Sequence, residues 1–143
     1  MARSEVSYTY ESDLAFRAPG LAAVAATGEI GVVALDKMAN VRPSSQNNKL
    51  GAEGYDLVIV VESSVVGTAA TYTFNVEVQG AAGANPAVAA ALEVPATVAG
   101  QFVIKLDAAT LEKLSAAADR VELALNLTLG GTGGSIVFSA WLA

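Results

Sequence analysis

The sequence predicts an all-β fold: a jelly-roll-like β-sandwich of about eight antiparallel strands with one short helix. In residues 71–79, large apolar side chains occupy every second position and polar side chains lie between them, which is typical of a strand with one buried and one exposed face. The same alternation returns at residues 121–129, and two packed sheets bury such faces against each other. Clusters of Gly, Pro and Asn separate these segments, as expected between short strands of a sandwich or jelly roll.

The composition indicates one domain with a charge-poor surface. The chain has 143 residues, of which 53% are hydrophobic and 15% charged, against about 25% charged in an average soluble domain. A protein surface so poor in charge usually binds a partner. The apolar runs are far shorter than the ~18 residues of a membrane span, and no signal-peptide pattern follows Met1. We therefore expect a soluble chain without a membrane partner.

Cysteine and histidine are absent. The absence of cysteine excludes a disulfide framework, a thiolate nucleophile and Cys-ligated metal sites. The absence of histidine excludes the His-containing catalytic arrangements and His-ligated metal sites. The net charge of −6 argues against nucleic acid, which is bound through clustered Lys and Arg. We expect a structural protein with no catalytic activity, no cofactor and no metal.

Residues 1–27 predict an extended N-terminal arm, because no period of 2 or 3.6 persists there. A short helix is conceivable over residues 21–26, although Thr27 and Gly28 would end it quickly. The sandwich domain is predicted over residues 28–143, with its first strand at 30–35. A polar, loop-like stretch follows at 36–54.

Residues 55–62 form a nearly continuous apolar run, which predicts a strand at the centre of a sheet. Residues 87–94 allow a strand or a short Ala-rich helix, and a strand fits the spacing of its neighbours better. Residues 101–106 alternate again. The one clear helix is predicted at 108–118, with Asp107 as its N-cap.

Residues 121–129 and 135–142 are predicted to pair as a hairpin across the turn at 130–134, which contains four glycines. That turn resembles a phosphate-binding loop only superficially, because it leads into a strand and has no nearby Lys. The glycosylation triplet at Asn126 is three residues long and is interpreted as chance.

Two further patterns could carry chemistry. The carboxylate pairs Glu11 with Asp13 and Asp119 with Glu122 lack the spacing of a calcium loop and are interpreted as solvated charge. A dyad of Ser115 with Lys105 or Lys113 can be written, but it depends on two common residue types.

A family resemblance is carried by the strands at 54–62 and 70–79, by the closing segment 121–143 with its Gly-rich turn, and by the Ala/Gly/Val-rich composition. In these features the chain resembles a capsid cement, or head decoration, protein of tailed bacteriophages, of the small jelly-roll type. The similarity spans roughly residues 28–143. It implies a homotrimer on the outer surface of an icosahedral head, at three-fold and quasi-three-fold positions, that clamps neighbouring major capsid protein subunits. The implied location is the virion, and the partners are the major capsid protein and further copies of the chain.

The arm carries the residue types that are enriched at interface hot spots, and residues 1–53 hold five of the eight Lys and Arg. We hypothesise that the arm becomes ordered on the capsid or on an adjacent subunit, and that its removal leaves the sandwich folded. Whether the loop at 36–54 grips the capsid or only connects two strands stays open. The hypothesised contact residues are Arg3, Tyr8, Tyr10, Phe16, Arg17 and Arg42.

The alternative is a carbohydrate-binding jelly-roll module on a phage head or fibre. Trp141, Tyr72 and Tyr55 would then be the platforms on which sugar rings stack. A lone Trp at a strand end is more often part of a core or an interface.

Overall fold

The computed structural model describes residues 10, 12–38, 55–97 and 99–143. These residues form eight strands and one α-helix, with short 3-10 turns between some of them. In chain order they are β1 (Ala15–Arg17), β2 (Gly28–Ala34), β3 (Tyr55–Val65), β4 (Thr68–Gln79), β5 (Ala87–Val94), β6 (Gly100–Leu106), α1 (Ala108–Ala117), β7 (Glu122–Thr132) and β8 (Ser135–Leu142).

The strands form two antiparallel sheets. Sheet A has the order β1-β8-β3-β6, and sheet B has the order β2-β7-β4-β5. Consecutive strands therefore alternate between the sheets except at β4–β5, and this is the strand order of an eight-stranded jelly roll. The predicted all-β sandwich is confirmed. None of the helices in the described ranges is long and apolar enough to cross a membrane.

The core lies between the two sheets and is filled by the alternating side chains of the central strands. Phe74 of sheet B meets Phe138 of sheet A edge-to-face, with ring centroids 5.0 Å apart and an interplanar angle of 73°, a favourable aromatic geometry. Around this pair pack the fully buried Leu57, Ile59, Tyr72, Val76, Val78, Leu123, Leu125, Leu127 and Ile136.

Two local predictions are confirmed. The strand β3 lies inside sheet A between β8 and β6, and Val58 is fully buried although it points away from the core residues Leu57 and Ile59. The helix α1 begins after Asp107, whose carboxylate accepts a hydrogen bond from the backbone N–H of Thr110 at 3.3 Å. An acceptor at this position satisfies one of the unpaired donors of the first turn.

The predicted hairpin of the last two strands is wrong. β7 pairs with β2 on one side and β4 on the other, whereas β8 lies in the opposite sheet between β1 and β3. Both edges of β7 are thus occupied, and no edge is left for β8. The glycine-rich connection still adopts the positive φ that was expected, 72° at Gly131 and 74° at Gly133, but it carries the chain from one sheet to the other.

The described part of the predicted arm runs along the sandwich. β1 pairs with the edge of β8, and Val24 forms an isolated bridge to Ile136. Residues 21–26 contain no helix, because the Val24 backbone is extended to reach Ile136. The arm therefore adds an edge strand to sheet A of its own chain.

Candidate assembly interface

One end of the sandwich is built from four connections without a charged residue. The connections at 18–27, 66–67, 95–97 and 133–134 meet there, as shown by the pairing of Val65 with Ser135, of Tyr72 with Val94 and of Val24 with Ile136. None of these four segments contains Asp, Glu, Lys or Arg. We call this surface the uncharged end.

The opposite end, which carries α1 and which we call the helix end, is different. The connection from Asp107 to Val121 alone holds three acidic and two basic residues. Arg120 is fixed there, because its guanidinium donates to the carbonyls of Leu114 at 2.8 Å and of Asn85 at 2.5 Å. Among the connections that the structure describes, the charged residues are thus found at the helix end.

The uncharged end exposes apolar side chains to solvent. Leu21, Val65 and Val66 are 47%, 50% and 51% exposed. Interface centres are depleted in charged residues, and exposed apolar groups that lie together indicate a binding surface. The uncharged end is therefore the candidate assembly interface.

Two glycines bring the corners of this end into backbone contact. A Cβ on Gly67 would lie 2.3 Å from the carbonyl oxygen of Thr132, and a Cβ on Gly131 would lie 2.4 Å from that of Ala69. Both glycines have positive φ, 55° and 72°, a conformation that glycine adopts without steric cost. The β3–β4 and β7–β8 corners thus pack directly on each other.

The hydroxyl of Tyr72 joins the same two corners. It lies 2.5 Å from the carbonyl oxygen of Val65 and 2.9 Å from that of Ser135, at hydrogen-bonding distance from both. The exposed Val65 and Val66 are consequently held on a supported corner. A surface held in place before binding loses little conformational entropy when a partner docks.

The structure describes three of the six hypothesised contact residues. Tyr10 is half-buried and its ring meets Trp141 edge-on, at 5.5 Å between centroids and 79° between planes. Phe16 is 5% exposed and belongs to the core. The indole N–H of Trp141 has no hydrogen-bond partner within the described part of the chain.

Arg17 makes its contacts within the chain. Its Nε donates to the carbonyl of Phe138 at 3.1 Å, one of its terminal nitrogens donates to the carbonyl of Ala22, and its guanidinium lies 5.2 Å from the centroid of the Phe138 ring. Phe16 and Arg17 therefore fix β1 to the sandwich. Arg3, Tyr8 and Arg42 lie outside the described residues.

The aromatic side chains considered for sugar stacking are mostly buried. Tyr72 is fully buried, Trp141 is 5% exposed, and Tyr55 is half-buried. A stacking platform must present its ring face to solvent, so neither Tyr72 nor Trp141 has that role in this conformation.

The other candidate groups serve structural contacts. The hydroxyl of Ser115 donates to the carbonyl of Arg120 at 2.6 Å, and Lys105 forms an ion pair with Asp56 at 3.0 Å. The Ser115–Lys105 dyad is therefore not assembled. Within the described ranges, no three acidic side chains converge as a metal site.

Glu122 takes part in a contact that joins three strands of sheet B. The side-chain amide of Gln79 donates to Glu122 at 2.6 Å and to Glu29 at 3.1 Å. Asp119, the other carboxylate of the pair that was interpreted as solvated charge, lies in the turn after α1, with a φ of 52°. Glu122 is not simply solvated, because it accepts a hydrogen bond from Gln79.

Sequence reasoning missed the uncharged end. The signal was present, because residues 18–28, 63–76 and 123–143 contain no charged side chain. Only the jelly-roll connectivity shows that the loops of these segments meet at one surface.

Comparison of the chain with protein-family models, with curated proteins and with solved structures found no match. The functional argument therefore depends on the residues and the geometry described above.

Proposed function

We propose that the chain is a structural virion protein that decorates the outer surface of an icosahedral phage capsid and stabilises it by binding across neighbouring major capsid protein subunits. It acts as a homotrimer and catalyses no reaction. The proposal joins the sequence resemblance to capsid cement proteins with a jelly roll that has a preformed end whose four connections contain no charged residue.

The uncharged end is the observation that carries the proposal. Burying a charged group without a partner is costly, and the four connections at this end contain none. Fully burying a Val or Leu side chain contributes about 1.5–3 kcal/mol, so each half-exposed side chain at this end would contribute roughly 1 kcal/mol on docking. A trimer presents three such ends, and simultaneous engagement raises the overall affinity without any new kind of contact.

A carbohydrate-binding role is the competing proposal. The outer face of sheet B carries the polar cross-strand pairs Asn75 with Asn126 and Thr73 with Thr128, which supply the hydrogen-bonding groups that sugars need. No described aromatic platform accompanies them on that face. A glycan array separates the two proposals, since a cement protein gives no dose-dependent signal.

Two valines of equal exposure allow a matched test of the interface. Val66 lies at the uncharged end and Val121 at the helix end, and both are 51% exposed. We expect Val66→Lys to reduce co-sedimentation with undecorated heads at least tenfold, because a charge must then be desolvated at the interface. Val121→Lys should bind like the unchanged protein.

Thermal unfolding of both variants controls for folding, and mass photometry of the unchanged protein measures its oligomeric state. A stable trimer supports the proposal and a monomer argues against it. Equal binding by the two lysine variants would show that the uncharged end does not face the capsid. Failure of the unchanged protein to sediment with heads would reject the function itself.

A further inference from the structure

The sandwich has four edge strands, β1 and β6 in sheet A and β2 and β5 in sheet B. The outer edge of such a strand carries unpaired N–H and C=O groups, which proteins protect by short length, by bulges, by covering segments or by charge. β1 has three residues, and β6 carries Lys105 with 80% of its side chain exposed. β2 is irregular between Glu29 and Gly31, and the carbonyl of Phe16 packs against Gly31.

β5 lacks most of these protections. It has eight residues, and its sequence, AVAAALEV, contains no Pro, no Lys and no Arg, with Glu93 as its one charge. Its pairing with β4 is irregular only between Val76 and Glu77. The half from Ala90 to Val94 is therefore regular, and its alanine side chains allow another backbone to approach closely.

The direction of the β5 backbone groups follows from the ladder of sheet B. In an antiparallel sheet, the backbone groups of alternate residues face alternate neighbouring strands. Leu129 of β7 donates its N–H to Thr27, which immediately precedes β2, so the odd-numbered residues of β7 face β2 and the even-numbered ones face β4. Because Asn126 lies opposite Asn75, the odd-numbered residues of β4 face β7.

The even-numbered residues of β4 consequently face β5. Phe74 lies opposite Leu92, and Tyr72 lies opposite Val94, so Leu92 and Val94 bond to β4. The alternate residues Ala91 and Glu93 therefore turn their backbone N–H and C=O groups to the open side of β5. No backbone hydrogen bond to that side of either residue is found within the described part of the chain.

The charge on sheet B restricts what can pair there. Its four strands carry Glu29, Glu77, Glu93 and Glu122, and no Lys or Arg. A second copy that paired through β5 would bring a second Glu93 to the same edge, and its β5 has no Lys or Arg to pair with the first. An incoming strand with a cation beside Glu93 would instead form a favourable cross-strand pair.

We propose that the regular half of β5 accepts an extended segment of the capsid partner as an additional strand, and that this segment carries a Lys or Arg beside Glu93. The inference depends on the proposed function and names the chemistry of the partner. Main-chain hydrogen bonds supply the affinity of such strand addition, and alternate side chains supply its specificity. Val94 pairs with Tyr72 next to the uncharged end, so the two contacts are continuous.

The test compares the binding of three variants to undecorated heads. Ala91→Pro removes an outward N–H and keeps the bonds to β4, since Pro is tolerated at an edge. Glu93→Lys reverses the charge beside the added strand. Glu62→Lys, at an exposed glutamate of β3 in sheet A, is the matched control. We expect at least tenfold weaker binding for the first two and unchanged binding for the control.

The outcomes separate this inference from the proposed function. If the unchanged protein binds heads and both β5 variants bind equally well, the inference is wrong and the function stands. If the unchanged protein does not bind, both fall. A lower oligomer mass for Glu93→Lys in mass photometry would show that β5 pairs with another copy, which also overturns the inference. If Ala91→Pro does not fold, Glu93→Lys decides.

Discussion

Tyr72 fills two roles at the residue scale. Its ring occupies an alternating core position of β4, which the period of residues 71–79 predicts, and its hydroxyl reaches the carbonyls of Val65 and Ser135. The second role could not be predicted. One of those carbonyls is 63 residues away in the sequence, and only the switch of sheets at each corner brings it near.

We expect Tyr72→Phe to lower the free energy of unfolding by roughly 1–2 kcal/mol, because it removes the one O–H that donates to the carbonyls where the two corners meet. Urea denaturation monitored by circular dichroism measures the effect. Thr128→Val removes an exposed hydroxyl from sheet B and should change stability by less than about 0.5 kcal/mol. An unchanged denaturation midpoint for Tyr72→Phe would show that the hydroxyl does not hold the corners together.

Ala69 is held in a strained backbone conformation at the same end. Its φ is 52°, in the left-handed region that costs an L-residue roughly 1–2 kcal/mol. The pairing of β4 with β7 is irregular from Thr68 to Thr71, and this irregularity encloses Ala69. The strain thus belongs to the corner that presents Val65 and Val66.

Ala69→Gly should raise the free energy of unfolding by about 0.5–1 kcal/mol, because glycine adopts positive φ without steric conflict. Ala91→Gly is the control, since Ala91 is also exposed but lies in a regular part of β5. There glycine should lower stability by about 0.5–1 kcal/mol. Destabilisation of similar size by both substitutions would contradict the assignment of strain to Ala69.

At the scale of secondary structure elements, sequence prediction succeeded where the signal is local. Alternation predicted β4, β6 and β7, a continuous apolar run predicted β3, and the Asp107 cap with its helical period predicted α1. Alternation fixes which side chains are buried, but it is equally satisfied by strands in one sheet or in two. The β7–β8 hairpin was therefore predicted wrongly, since its glycine-rich connection suits a sheet-switching corner as well as a turn.

β1 could not be predicted, because three residues are too few to show a period. Its contribution is nevertheless large: Phe16 is 5% exposed in the core, and its carbonyl packs against Gly31. Removal of the arm, which we expected to leave the sandwich folded, would also remove Phe16 from the core and the pairing of β1 with β8.

Phe16→Ala should lower the free energy of unfolding by about 3 kcal/mol, because it leaves a cavity where a buried ring was. Guanidinium denaturation followed by the fluorescence of Trp141, the single tryptophan, provides the measurement. Leu21→Ala is the control, because Leu21 is 47% exposed and a surface change should cost less than about 0.5 kcal/mol. Equal stability of the two variants would mean that β1 does not belong to the folded body.

At the scale of the whole molecule, the described connections carry charged residues at the helix end and none at the uncharged end. The connections at the uncharged end contain no ionisable side chain, whereas α1 and its flanking turns hold five charged residues between Asp107 and Arg120. Composition predicted a charge-poor surface, but not where the charge would be missing. That information lies in the strand order, which joins segments far apart in the sequence.

This distribution predicts an orientation on the capsid. Under the proposed function, we expect the uncharged end, whose connections contain no charged residue to desolvate, to face the capsid subunits, and the helix end to face water. The proposed strand addition at β5 would act beside the same contact.

Hydrogen exchange of the protein free and bound to undecorated heads tests this orientation most directly. The account predicts that backbone amides at residues 18–27, 64–70 and 129–136 exchange at least tenfold more slowly on the head. Amides of α1 and of the loop at 80–86 should exchange at the same rate in both states. Protection confined to α1 and residues 80–86, with the uncharged end exchanging as in the free protein, would contradict the account.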